Sequence, residues 1–149
     1  MLKVWLVTIM AVLAGCSSTT QLQGKVPTEE ELVHHHYNLE WVDGKPLSEL
    51  VEMELTPGKR PDIEFQEGFR LAGIAGCNRF MGQGSIKQAA LYMAPGPSTR
   101  MACLGELSQV EQTVFQVLND GAQIRIKGNQ LILMHQDHKL IYELADYVQ

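Results

Sequence analysis

The sequence predicts an α+β domain that is mostly β: a small incomplete antiparallel β-barrel or curled sheet with one packed α-helix. Three observations predict it. From Tyr37 onward, short segments alternate apolar and polar residues, the two-residue period of a half-buried strand. Gly, Pro, Asn and Asp punctuate these segments at the close spacing of small barrels. A single stretch, Ser108 to Leu118, switches to the helical period. The composition, 45% hydrophobic and 19% charged over 149 residues, is that of one globular domain with a short appendage.

The appendage is N-terminal. Met1-Leu2-Lys3 precedes an apolar run from Val4 to Leu13 that only Thr8 interrupts. A positive charge followed by a short hydrophobic stretch is the pattern of a secretory signal peptide. The run falls short of the roughly 20 apolar residues of a spanning helix. Leu13-Ala14-Gly15-Cys16 resembles the lipobox of bacterial lipoproteins. That resemblance implies cleavage before Cys16 and diacylglycerol on its thiol, since a thiolate is the natural nucleophile for alkylation. Ser17, rather than an aspartate, resembles the outer-membrane sorting pattern of Gram-negative bacteria. Residues 1–15 are thus expected to be a lipoprotein signal peptide, and residues 16–36 a lipidated cysteine and flexible tether. Ser17 to Glu31 is rich in Ser, Thr and Gln and ends Thr28-Glu29-Glu30-Glu31, a solvated composition. The expected location is the cell envelope, lipid-anchored, at the outer membrane facing the periplasm.

Within residues 37–149 the elements follow in order. Tyr37, Leu39 and Trp41 share one side of a strand that ends at the turn Asp43-Gly44-Lys45-Pro46. Val51, Met53 and Leu55 alternate with Glu52 and Glu54 up to Thr56-Pro57-Gly58. Ile63 and Phe65 mark the next strand; Phe69, Leu71 and Gly73 mark another. Late in the chain, Ile124 to Lys127, Leu131 to Met134 and Leu140 to Leu144 are separated by turns at Gly128-Asn129 and Gln136-Asp137. In the helix, Val110, Val114, Val117 and Leu118 form one apolar stripe. Ser108-Gln109-Val110-Glu111 has the form of a capping box, and Gly121 suits a left-handed C-terminal cap.

Two segments are more specific. Gly73-Ile74-Ala75-Gly76-Cys77-Asn78-Arg79-Phe80-Met81-Gly82 is the first; Ser98-Thr99-Arg100-Met101-Ala102-Cys103, followed by Glu111, Phe115 and Leu118, is the second. Together with Leu39-Glu40-Trp41, Leu131-Ile132-Leu133 and Leu140-Ile141-Tyr142, they resemble the META domain family, which includes the bacterial HslJ-like heat-shock proteins. The resemblance covers roughly Tyr37 to Leu144. It implies a β-rich incomplete barrel with a packed helix and a link to stress tolerance, and it brings no known catalytic activity.

Cys77 and Cys103 lie in these two segments, and export to an oxidising compartment favours a disulfide between them. The alternative is a pair of reduced, buried cysteines acting as small apolar residues. Asn78, Arg79 and Arg100 are candidates for recognising an anionic or carbonyl-bearing partner. Their structural alternative has Asn78 bonded to its own turn and the arginines paired with surface carboxylates. His34, His35 and His36 lack the ligand spacing of a metal site, so neither metal nor cofactor is expected. His135 and His138 flank a hairpin and are expected to be exposed.

No nucleophile elbow, phosphate-cradling glycine loop or zinc-protease motif is present, so catalysis is not expected. The net charge of −5 argues against nucleic acid. The expected partners are the membrane, through Cys16, and an envelope protein of unknown identity. The expected role is non-catalytic support of the stressed envelope through partner binding. The alternative is a pilotin-like lipoprotein chaperone that carries a secretion component in a groove of its open barrel.

Overall fold

The computed structural model describes residues 22–51 and 59–147. Its strands are β1 (His35–Val42), β2 (Lys45–Pro46), β3 (Asp62–Gln66), β4 (Arg70–Ile74), β5 (Arg79–Lys87), β6 (Ala90–Ser98), β7 (Ala122–Lys127), β8 (Gln130–His135) and β9 (His138–Tyr147). Its helices are α1 (Glu29–Leu32), α2 (Leu47–Leu50) and α3 (Glu106–Asp120). The sheet runs β2-β1-β3-β4-β5-β6-β7-β8-β9, and β1 also pairs with β9. All pairings are antiparallel.

The expected incomplete barrel is therefore a closed one. β1 pairs with β3 through His35 to Asn38 and with β9 along its whole length, so eight strands form a ring and β2 is a short spur. The physical reason lies in β1 itself. Register shifts at His36/Tyr37 and Leu39/Trp41 raise its local twist, which curls the sheet until its ends meet. The second shift also re-aims the side chains. Tyr37 and Leu39 point inward as expected, but Val42, not Trp41, is buried at the end of the strand.

Alternation fills the interior: Ile63, Phe65, Leu71, Leu91, Ile124, Leu131, Leu133, Leu140 and Tyr142 are all buried. The β5–β6 hairpin is an element that alternation alone does not reveal. Gly82 and Gly84 occupy inward positions because Met93 and Leu71 already fill the space. The connecting Gln88 and Ala89 adopt positive φ, 50° and 63°, without the glycine or asparagine that normally announces such a turn. The strand expected at Val51, Met53 and Leu55 falls on residues 52–58, outside the described residues; Val51 itself is buried after α2.

The two ends of the barrel are finished differently. At one end, residues expected to be tether belong to the fold. Lys25 and Ile126 exchange backbone hydrogen bonds of 3.0 and 2.8 Å. Thr28 and Glu31 cap α1 reciprocally, and Leu32 is fully buried against the core. The solvated tether therefore cannot extend to residue 36: a Thr-x-x-Glu capping box followed by leucine makes the acidic run a helix start. At the other end, β6 pairs with β7 only through Ala90 and Leu91, and α3 packs beside β6 beyond that point.

The stripe on α3 is as expected, with Val110, Val114, Val117 and Leu118 all buried. The helix starts earlier than expected. Its N-cap is Gly105, which makes no side-chain cap bond, and Ser108 lies inside the first turn. Glu111 is not part of a capping box, because its carboxylate is engaged elsewhere. At the far end Gly121 has φ 89°, and a Cβ there would sit 2.3 Å from the Tyr92 ring.

Candidate functional site

The turn after β4 is built to meet α3. A Cβ on Gly76 would lie 2.6 Å from the Leu107 carbonyl oxygen and 2.7 Å from Glu111 Cβ, so only glycine permits this approach. The contact places two backbone donors at one carboxylate. Cys77 N–H and Asn78 N–H each donate to Glu111 Oε2 at 2.7 Å. Asn78 Nδ2 donates to Glu111 Oε1 at 2.8 Å and to the Met101 carbonyl at 3.0 Å. Asn78 Oδ1 accepts from Thr99 Oγ1 at 2.9 Å and from Met101 N–H at 2.6 Å. Thr99 Oγ1 in turn accepts from Arg79 N–H at 2.9 Å.

Asn78 is thus buried and uses both its donors and its acceptor. The expected bond to its own turn is replaced by bonds to the loop before α3 and to the helix. Its side chain holds the loop to the helix from within the fold. Cys77 and Cys103 form a disulfide with Cα atoms 5.5 Å apart, a second tie between the same turn and the same loop. Their sulfurs and the Glu111 carboxylate lie close together. Sulfurs joined to each other do not supply thiolate ligands, so this trio does not fit a metal.

The loop tied down from below shows different chemistry above. Arg79 and Arg100 are exposed, and among the described residues neither pairs with a carboxylate, contrary to the surface-pairing alternative. Met81, Met101 and Leu104 are exposed at 43%, 59% and 83%. Of these, Met81 also lines a partly open cleft of about 250 Å³ between the β5–β6 hairpin and α3. Phe80, Met81, Met93 and Pro95 line one side, Phe115 and Asn119 the other. The Phe80 and Phe115 rings meet edge-on at 6.1 Å.

The other sequence candidates lie elsewhere. Cys16 is outside the described residues. His34 is exposed with φ 68°, His35 bonds Val33 O and stacks on Tyr37, and His36 Nε2 bonds Asp62 Oδ2 at 2.9 Å. His138 bonds Asp43 at the surface. His135 is half-buried rather than exposed, because its Nδ1 lies 2.6 Å from the Gly121 carbonyl and ties the β8 end to the end of α3. Sequence reasoning missed the role of Glu111, because its spacing from Ser108 fits a capping box equally well. It also missed the cleft, which depends on a hairpin that lacks turn signals.

A META domain model matches residues 30–147. The chain belongs to the META domain family. Heat shock protein HslJ of Escherichia coli (strain K12) is 34% identical to it over 141 residues, covering 94% of this chain and 93% of that protein. A protein structure determined by NMR superposes with a TM-score of 0.64 at 33% identity, over 80% of this chain and 97% of the other. A second NMR structure, of a protein from Burkholderia xenovorans, gives 0.60 at 18% identity over 91% and 99%, which speaks for the fold alone. In this META domain the two specific sequence segments are the two partners of the disulfide and of the Asn78–Glu111 network.

Proposed function

We propose that this META domain protein is a non-catalytic, stress-related protein of the cell envelope, held to the membrane by lipid on Cys16 and acting by binding an envelope protein. The observation that carries the reading is the contrast within the Thr99–Gly105 loop. A disulfide and a buried asparagine–glutamate network fix it from below, while Arg100, Met101 and Leu104 are exposed on it. Ordering an exposed loop costs conformational entropy, and a surface for a partner is the return on that cost. The stress role rests on likeness to heat shock protein HslJ. Export is supported by the disulfide, whose chemistry is that of oxidising compartments. Anchoring is supported by the Leu13-Ala14-Gly15-Cys16 pattern.

Photo-crosslinking in intact cells tests the binding reading. A photoreactive residue at Leu104 is expected to form an adduct with an envelope protein, and one at Lys127, on the other end of the barrel, is not. Absence of adducts from Met81, Met101 and Leu104 alike removes the reading. Anchoring is tested separately: Cys16→Ser is expected to abolish incorporation of labelled fatty acid, and continued labelling removes the anchor.

A further inference from the structure

We propose that Met101 and Met81 form a reversible oxidation site: two exposed thioethers that react with two-electron oxidants such as hypochlorous acid ahead of the buried Met93, and leave the fold unchanged. The inference goes beyond the partner-binding reading and does not depend on it, because it concerns the free chain.

Access sets the order of attack. Sulfoxide forms only where the oxidant reaches the sulfur, so susceptibility follows exposure. Met101 and Met81 are the exposed methionines among the described residues; Met134 is half-buried and Met93 is buried. A thiol would compete for the same oxidants, but the cysteines among the described residues, Cys77 and Cys103, are already joined.

The effect of an added oxygen depends on what the side chain supports. Met101 is held by its backbone. Its N–H donates to Asn78 Oδ1 at 2.6 Å, and its carbonyl accepts from Asn78 Nδ2 at 3.0 Å. Asn78 is buried and bonded to Glu111, so the position of Met101 is set without its own side chain. Met81 stands in the β4–β5 ladder opposite Ala72 and is likewise placed by its backbone. On side chains this exposed, a polar sulfoxide carries no burial penalty.

Met93 is the contrast. A Cβ on Gly82 would sit 2.5 Å from Met93 Cγ and 2.9 Å from its Sδ, so the thioether packs directly onto the β5 backbone. An oxygen on that sulfur would be a buried polar group in a space already filled. Met93 is therefore the methionine whose oxidation opens the sheet, and the two exposed ones consume a limited dose first.

The step is balanced by the oxidant itself. The thioether gives up two electrons and gains one oxygen; the oxygen–chlorine bond of hypochlorous acid is broken, and chloride and a proton are released. The return uses two thiols, which are joined as a disulfide while the sulfoxide oxygen leaves as water.

The test treats the full chain in neutral detergent micelles with hypochlorite, from well below one equivalent per chain upward. Peptide mass spectrometry and thermal melts are recorded at each dose. Met101 and Met81 are expected to be oxidised first among the described methionines, and Met93 about ten-fold more slowly, because it must wait for local opening. The melting temperature is expected to hold until Met93 sulfoxide appears. Methionine sulfoxide reductases with thioredoxin are expected to return the Met101 and Met81 peptides to their unmodified mass. The Met81→Leu/Met101→Leu variant keeps the apolar volume and removes both sulfurs. In it, Met93 oxidation and the fall in melting temperature are expected at a lower dose. Met1, Met10 and Met53, outside the described residues, consume oxidant in both proteins alike. Met93 oxidised as fast as Met101, or melting that falls with the first sulfoxides at Met101 and Met81, overturns the proposal. So do sulfoxides that the reductases leave in place, or a variant that loses its fold at the same dose as the unsubstituted chain.

Discussion

The barrel closes at two junctions that are built in opposite ways. Where β1 meets β9 the ladder runs from His35 to Val42, with two register shifts along it. Where β6 meets β7 the ladder has two pairs of residues. There α3 covers the gap, and its start is held by Glu111, Asn78 and the Cys77–Cys103 bond. The difference teaches where each kind of interaction is used. A long ladder fixes a seam through many small contributions. A splayed junction concentrates the same task in a few residues, and this is also where the surface carries its unusual side chains.

The contrast is broken most severely at its polar centre. Glu111→Ala leaves two backbone N–H groups and the Asn78 amide without their carboxylate, and is expected to cost about 4 kcal/mol. Hydrogen exchange should show the Cys77 and Asn78 amides opening while the β1–β9 amides keep their protection. Uniform loss of protection across both junctions would show that they are not separate. Reducing the Cys77–Cys103 bond should come next. Over a separation of 26 residues it is expected to cost about 3 kcal/mol in denaturant melts, with new exchange confined to Thr99–Gly105.

Val114 lies at 0% exposure on the packed face of α3, and Val114→Ala should cost about 2 kcal/mol in the same melts. Ser108→Ala sharpens the point from the other side. Its hydroxyl does not cap the helix, so a change below about 0.5 kcal/mol is expected, where an N-cap serine would give about 1. A larger loss would return the helix start to Ser108.

An effect of the opposite sign belongs to the β1–β9 seam. Tyr142 is fully buried opposite Leu39, its hydroxyl has no hydrogen-bond partner among the described residues, and burial, aided by the nearby Asp62 charge, pushes its pKa well above the ordinary value. A raised folded pKa means that the neutral phenol is the form the fold favours. Its contribution is complete below about pH 10 and is lost as the pH climbs beyond that. Tyr142→Phe is expected to leave stability at pH 8 unchanged or up to about 1 kcal/mol higher, and to reduce the fall in stability above pH 10. An equally steep alkaline loss in the variant would assign it to other tyrosines.

Much of the seam is legible in the sequence because it is made of alternation: Tyr37 and Leu39, Ile63 and Phe65, Leu131 and Leu133, Leu140 and Tyr142 each announce a face. The splayed junction is much less so. Its hairpin turns on Gln88 and Ala89, residues that give no local sign of positive φ. Its strands contain Gly82, Gly84, Pro95 and Pro97, which erase the two-residue period. Glu111 fits a local cap and a tertiary bond equally well by spacing, and only the position of Gly76 against the helix decides between them. The two cysteines can be paired because export restricts their chemistry; the role of Asn78 depends on which loop it meets. Residues 25–33 mislead for a simpler reason. Composition describes Thr28 to Glu31 as solvated, whereas Leu32 makes the following turn part of the core.

That N-terminal strap also sets how the domain would bear force. A pull on the chain ahead of Leu22 first loads the bond from Lys127 to Gln23 and the Lys25–Ile126 hydrogen bonds, then the bond from Ile86 N–H to the Glu29 carboxylate, and then the buried Leu32. These yield one after another, each a small barrier. β1 follows, and it is held by neighbours on both sides. Peeling from Leu22 to Val33 would release roughly 35 Å of chain before the barrel itself is strained. By this series of contacts the segment would act as a fuse ahead of the fold, lengthening under load before the barrel is strained.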